Sequence, residues 1–416
     1  MLNETQKSHA RKISIIEGCV STVWSSFTGG NYLTGLFIWL GAGPLLISLY
    51  GASGPLSNVI QPFFLAILGR NVTNKKKFII ISVALFKPLF FVLVLGSLIN
   101  SGLKVWIALT ILFFFQIISS MAGPVWTRWM TDIVDREIYG RYFGFRNLIT
   151  QIVAAASTLL AGWLLDLWGK GFWAFLLVFL IGSFFGLLDV FTFIHQDDEP
   201  LSNIKLINYH IFSDLLKMPT DYRKYMISIT IWIFAMNIFG PYATVMMISK
   251  FKYDYAILGL LSVVSSLAVA IFQPIFGKLG DKFGNFKILR YTLIIQTILN
   301  VGWILAVPNI YYMIPFQLVL GIIGTAGTGL ISSNFLMEIV PTFGKTEAFV
   351  VYASITNLAA FGGNMISGFL FLLFSRIHFE FLIWNFDAYR FVFMVSVIAS
   401  IIALYSFLKL KMIFKS

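Results

Sequence analysis

Charge is scarce in this sequence: aspartate, glutamate, lysine and arginine make up 12% of 416 residues, where a water-soluble domain carries roughly 25%. Acids are scarcer than bases, 18 against 30. The shortage excludes a chain whose surface is mostly in water. Cysteine occurs once, at Cys19, which excludes a disulfide framework and a cysteine-based metal centre. The expected role of Cys19 is packing. The four histidines, His9, His195, His210 and His378, fall in polar segments with no pair at metal-ligand spacing, so no metal or other cofactor is expected. Alternation of apolar and polar residues is also missing, and with it a membrane β-barrel.

Hydrophobic residues, by contrast, make up 58% of the chain. They form unbroken runs such as Phe78–Ile99 and Phe172–Ile194, and a helix needs roughly 20 residues to cross the hydrocarbon core. Polar punctuation predicts twelve transmembrane helices, over 13–40, 44–68, 78–99, 103–127, 142–168, 171–194, 225–249, 255–276, 288–307, 310–338, 348–374 and 390–408. The expected fold is all-α, with six-helix bundles at 1–194 and 225–416 and a linker at 195–224 carrying Asp197, Asp198 and Glu199. The first span is too long for a cleaved leader and is expected to remain.

A net charge of +12 could suggest a nucleic-acid partner, but its placement points to topology instead. With the N-terminus inside, 23 of the 30 lysines and arginines fall in cytoplasmic segments and six, Lys104, Lys170, Lys250, Lys252, Arg376 and Arg390, fall opposite. Cytoplasmic loops carry that excess in membrane proteins. Both termini and the linker are therefore expected in the cytoplasm, and no nucleic acid is expected as a partner.

The two halves also repeat. Gln61-Pro62-Phe63-Phe64 ends the second span and Gln273-Pro274-Ile275-Phe276 the eighth, an offset of 212 positions that also pairs Arg70 with Lys282 and Lys75 with Lys287. Asp132-Ile133-Val134 after the fourth span answers Glu338-Ile339-Val340 after the tenth. Such a pattern points to a parallel repeat, its halves related by an axis along the membrane normal.

After the eighth span the chain reads Gly277-Lys278-Leu279-Gly280-Asp281-Lys282-Phe283-Gly284-Asn285-Phe286-Lys287. This resembles the signature of the major facilitator superfamily: a glycine, three residues, Asp-Arg/Lys, one residue, a glycine and basic residues. The resemblance implies an alternating-access transporter in which Gly277, Asp281, Lys282 and Gly284 latch one conformation. Glycine permits a tight turn, and the aspartate could cap the following helix or hold its positive N-terminus. The first-half copy is degraded, with Leu65, Gly69 and Val72 at the positions of the first glycine, the aspartate and the second glycine. The segment from Trp126 to Asn147 is similar to the loop joining the fourth and fifth spans in many bacterial members. Its arginines, Arg128, Arg136, Arg141 and Arg146, are offset by Asp132, Asp135 and Glu137, which predicts a salt-bridged knot or an anion site. Asp132 and Arg141 join the latch residues. The motifs of proton-coupled efflux members are missing: no mid-helix arginine in span four, and Ala154-Ala155-Ala156-Ser157 in span five.

Charges inside hydrocarbon are costly and point to function. Glu17, Lys87 and Asp189 lie within spans and are the coupling candidates, Glu17 first because span one lines the cavity in this superfamily. Lys87 is expected to pair with Asp189 or Glu17. By the same resemblance spans one, four, seven and ten hold the cavity. Candidates from the first half are Trp24, Asn31, Tyr32, Gln116, Ser119 and Trp126. From the second they are Trp232, Asn237, Tyr242, Gln317, Thr325 and Asn334. Together they describe a neutral, aromatic cavity for a polar or amphipathic solute. The glycines at 321, 324, 327 and 329 follow no strand, so helix packing accounts for them better than a dinucleotide site.

The expected protein is thus a monomeric, multi-pass secondary transporter of the cytoplasmic membrane, moving a small organic solute with protons as a possible partner and lipids around it. Export or flipping of lipophilic compounds is the alternative. A membrane-embedded enzyme would need a cluster of His, Asp or Cys that the sequence does not offer, and a non-transporting receptor would bind without translocation.

Overall fold

The structure is a computed structural model that describes residues 4–68, 75–99, 102–197, 218–340, 345–381 and 384–410. Most of the expected linker and the degraded motif around Arg70 lie outside the described residues. What is described is nearly all helix: α1 (Glu4–Thr28), α2 (Gly30–Trp39), α3 (Pro44–Leu68), α4 (Lys75–Phe86), α5 (Val92–Leu95), α6 (Lys104–Ile133), α7 (Tyr139–Leu167) and α8 (Phe172–His195) come first. Then follow α9 (Thr220–Val245), α10 (Tyr255–Phe283), α11 (Asn285–Leu305), α12 (Ile310–Leu320), α13 (Leu330–Ile339), α14 (Lys345–Phe374) and α15 (Ala388–Leu408). Among the described residues nine helices are long and apolar enough to cross a membrane.

Two expected spans are not single helices. The run 13–40 starts earlier, at Glu4, and breaks between α1 and α2 at Gly29, where Gly30 takes a positive φ of 54°. The run 78–99 breaks at Lys87-Pro88: α4 ends at Phe86 and only the short α5 and a 3-10 turn at Gly96–Leu98 follow. Proline has no N–H to donate and its ring clashes with the preceding turn, so hydrophobicity continues where the helical ladder does not. The ninth-to-tenth connection, 306–309, is longer than the expected 308–309, and α12 and α13 are joined by a π-helical stretch, Gly321–Gly329. An addition outside the all-helical expectation is a hairpin, β1 (Phe379–Phe381) with β2 (Trp384–Phe386), antiparallel, with Phe379 opposite Phe386.

The chain divides into two compact units. The first contains residues 1–42, 60–208 and 254–260, and the second 43–59, 209–253 and 261–416. In the first, α8 lies against α1 through glycines. A methyl group on Gly186 would come within 2.8 Å of Lys87 Cβ and 3.0 Å of Trp24 Cδ1, so small residues here set the helix spacing. In the second, Tyr222, Tyr225, Trp232, Leu289, Phe335 and Phe407 form an aromatic-rich core, and the Tyr225 hydroxyl meets Ser332 Oγ at 2.7 Å. The glycine-rich π segment packs as expected: a methyl on Gly321 would lie 2.6 Å from the Ser265 carbonyl oxygen.

Candidate functional site

The first unit holds a cavity of about 130 Å³ walled by α1, α4, the break after α4, and α6. Trp24, Phe86, Phe90 and Phe115 supply aromatic faces, and Thr28, Gln116 and Ser119 supply polar ones. Trp24 meets Phe86 and Phe90 edge-to-face at 5.5 and 5.4 Å. Edge-to-face pairs suit the ring quadrupole and hold the wall rigid. Gln116 Oε1 is buried without a hydrogen-bond partner. An unmet buried acceptor costs about 1–3 kcal/mol, which a solute donor could recover.

Against Trp24 lies a buried ion pair. Lys87 is 6% exposed and Asp189 is fully buried; the ammonium sits 2.6 Å from Asp189 Oδ2 and donates to Ser21 Oγ, also at 2.6 Å. It also lies 4.7 Å from the Trp24 ring centroid, a cation–π contact worth up to ~2 kcal/mol when desolvated. The Trp24 Nε1–H donates to the Lys87 carbonyl at 3.2 Å. The helix break thus presents both ends of Lys87 to the cavity wall. Of the two partners the sequence left open for Lys87, the structure gives Asp189.

Glu17 pairs elsewhere. It is 5% exposed, and Arg146 of α7 donates to its Oε2 at 2.8 Å and to the Ser14 carbonyl at 3.1 Å. The guanidinium stacks 4.9 Å from the Trp126 centroid. A methyl on Gly18 would come within 2.7 Å of Arg146 Nη2, so glycine admits the arginine. Arg146 stood in the sequence among the arginines of the expected knot. Its place just beyond Gly144, at the edge of the apolar run of span five, was the signal that it points inward. The knot itself forms with α1: Asp135 accepts from Lys7 at 2.6 Å and Arg11 at 3.3 Å. The Lys7 hydrogen bond, foremost, and the two cationic charges hold the Asp135 carboxyl below its ordinary value.

Other expected cavity residues serve helix contacts. Asn31 donates to the Leu258 carbonyl at 3.2 Å, and the buried Tyr32 hydroxyl bonds the Thr158 carbonyl. Asn237 Oδ1 accepts from Asn364 at 3.1 Å. Tyr242 donates to the Pro44 carbonyl at 2.9 Å and stacks on Phe371 at 4.6 Å. Trp232 is in the core of the second unit. Gln317 and Asn334 are half-buried and Thr325 is exposed. Phe86 and Phe90 of the third span were not anticipated in the wall.

The expected latch motif is helical rather than a loop: Gly277 to Phe283 form the last two turns of α10. The next helix is preceded by Gly284 at φ 85°, with no side-chain cap. The expectation that Asp281 caps α11 is therefore corrected. The left-handed turn at Gly284 starts α11 without an aspartate, and Asp281 instead sits exposed at the carboxyl end of α10, where the helix dipole disfavours an acid. Arg141 is exposed near the start of α7, while the Asp132 side chain lies outside what is described.

Comparison with known proteins gives a consistent result. The sequence model of the Major Facilitator Superfamily matches residues 225–412. An uncharacterized MFS-type transporter of Methanocaldococcus jannaschii is 22% identical over 80% of this chain and 83% of its own length. Among solved structures, nucleoside transporter NupG superposes with a TM-score of 0.72 at 13% identity, covering 97% of this chain and 99% of that one. A bacterial homolog of the human lysosomal transporter Spinster gives 0.70 at 12% identity, covering 98% and 97%. A bacterial homologue of the iron transporter ferroportin gives 0.69 at 12% identity, covering 96% and 98%. Residues 225–412 thus match the sequence model of the Major Facilitator Superfamily, and the chain along nearly its whole length has the fold of these solved structures.

Proposed function

We propose that the chain is a secondary transporter of a small neutral or amphipathic organic solute, coupled to protons and working by alternating access. The observation that carries this reading is the aromatic cavity of Trp24, Phe86, Phe90 and Gln116, backed directly by the Lys87–Asp189 pair through Trp24. Rings and amide recognise a solute with an apolar body and a few polar groups. The buried carboxylates supply sites where a proton can be taken up and released as the cavity changes its exposure. Glu17 is the first coupling candidate, held by Arg146 in a pair that protonation would loosen. The lysine and arginine bias supports twelve spans with both termini in the cytoplasm, and the 212-residue repeat supports two bundles that move as bodies. Asp281 and its neighbours are the proposed latch, and the cytoplasmic membrane the proposed location.

Purified protein in proteoliposomes decides the matter. Solutes are first screened by thermal stabilisation over sugars, amino acids, nucleosides and lipophilic cations. Uptake of the stabilising solute is then measured with and without a pH gradient. A Gln116→Ala variant should lose the stabilisation. A stabilising solute that never crosses the bilayer would make the protein a receptor instead.

A further inference from the structure

The internal repeat recurs at two surface grooves that transport does not use. On the first unit a groove of about 500 Å³ runs between the starts of α1 and α7, with Ser8, Arg11, Lys12 and Ile15 on one wall and Arg141 and Phe145 on the other. On the second unit a groove of about 510 Å³ lies between α9 and α14, lined by Thr220, Arg223, Lys224, Ile227, Thr230 and Ile355. The 212-residue offset that pairs Gln61 with Gln273 pairs the α1 and α9 walls position by position: Ser8 with Thr220, Arg11 with Arg223, Lys12 with Lys224, Ile15 with Ile227. Other residues between them differ, as in Ser8-His9-Ala10 against Thr220-Asp221-Tyr222. The spacing i, i+3, i+4, i+7 places each set on one stripe of its helix. Each unit therefore offers a hydroxyl, two cations and an apolar residue in line.

The cations are available. Lys12, Arg141 and Lys224 make no ion pair among the described residues. Asp135, the acid beside the first groove, is taken up by Lys7 and Arg11. Among the described residues the Arg223 guanidinium donates only to Thr220 Oγ1, at 3.5 Å, and its Nε and the Thr230 hydroxyl are buried without a partner there. A soluble anion would use the cations alone. Phe145 and Ile227, 56% and 60% exposed, extend each groove with apolar surface that an acyl chain would cover. By the lysine and arginine bias of the sequence, the starts of α1, α7 and α9 are expected at the cytoplasmic face, where anionic headgroups gather.

We propose that the grooves are a repeat-related pair of sites for anionic phospholipid. The phosphate is held by Lys12 and Arg141 in one and by Arg223, Lys224 and Thr230 in the other. The acyl chain runs along Ile15 and Phe145, or along Ile227 and Ile355.

The test uses the full chain in detergent, titrated with phosphatidylglycerol, phosphatidylcholine or soluble glycerol phosphate, with native mass spectrometry counting retained lipid. Two phosphatidylglycerol molecules should be retained, against none of phosphatidylcholine or glycerol phosphate. Lys12→Gln with Arg141→Gln should weaken one site about thirtyfold, and Arg223→Gln with Lys224→Gln the other, from two cations lost in each. The single variants Lys12→Gln and Lys224→Gln, on exposed side chains, keep the fold and should each show part of that loss. Equal retention of phosphatidylcholine, binding of glycerol phosphate in place of lipid, or retention indifferent to both double variants would overturn the proposal. Loss at one groove only would overturn the pairing.

Discussion

The Lys87 ammonium meets the Asp189 carboxylate at 2.6 Å across 102 residues of chain, with one charge 6% exposed and the other fully buried. Taking both ions out of water costs several kcal/mol, and their attraction offsets this only with good geometry and added hydrogen bonds. Ser21 and Thr192 provide such bonds. Removing one partner leaves an uncompensated charge, at about 3–5 kcal/mol.

Lys87→Ala should therefore lower the yield of folded protein sharply, read by size-exclusion chromatography of a fluorescent fusion. The double variant Lys87→Ala with Asp189→Ala should recover much of it. A double variant as poor as the single one would show that the pair is not the cause.

Glu17→Gln should leave solute binding largely intact and remove the pH dependence of transport. The amide oxygen can still accept from Arg146, so the helix contact survives while the titrating group is gone. Proton-dependent accumulation by this variant would assign coupling to another group.

Gly186→Ala should destabilise by about 1–3 kcal/mol, the usual cost of overpacking a close contact. The added methyl would lie 2.8 Å from Lys87 Cβ and 3.0 Å from the Lys87 carbonyl carbon, and neither is the free end of a side chain. An unchanged thermal midpoint in detergent would contradict this packing.

The tie between Asp135 and α1 should depend on pH in one direction. Its carboxyl is held below its ordinary value by Lys7 and Arg11. A lowered folded-state value means the contribution is complete above the ordinary carboxylate value and is lost as pH falls through the lower, folded one. A spin label on Ser8→Cys, in a Cys19→Ser background, should stay ordered at pH 5. Asp135→Asn should mobilise it at pH 7, since the amide cannot pair with both cations. Equal mobility in the two proteins would remove Asp135 from the tie.

Asp281→Asn should slow transport with little loss of folded protein. The carboxylate is exposed on the last turn of α10, so its effect falls on a conformational equilibrium, at about 1–3 kcal/mol. Wild-type rates would dismiss the latch.

The sequence marked where hydrocarbon-compatible segments begin and end, because hydropathy measures transfer into lipid. The expected run 44–68 coincides with α3, and 310–338 with α12 through α13. It missed the breaks at Gly29 and Lys87-Pro88, because transfer energy is blind to a lost hydrogen bond. Pro88 was in view, yet span three was read as one helix. The site was half legible. Buried charge identified Lys87, Asp189 and Glu17, but pairing over 102 and 129 positions is set by helix packing that no local pattern records. Trp232 shows why a single aromatic residue on an expected cavity helix says little, since it lies in the core of the second unit.

The slot that Gly186 leaves for the Lys87 stem has a consequence for descent. A larger residue at 186 closes the slot, a neutral residue at 87 strands Asp189, and a neutral residue at 189 strands Lys87. Each single step is penalised, whereas a joint replacement of all three by apolar residues of matched volume is not. Positions 87, 186 and 189 should therefore change as a set among related chains, and a chain carrying only part of the set would mark an intermediate of low stability.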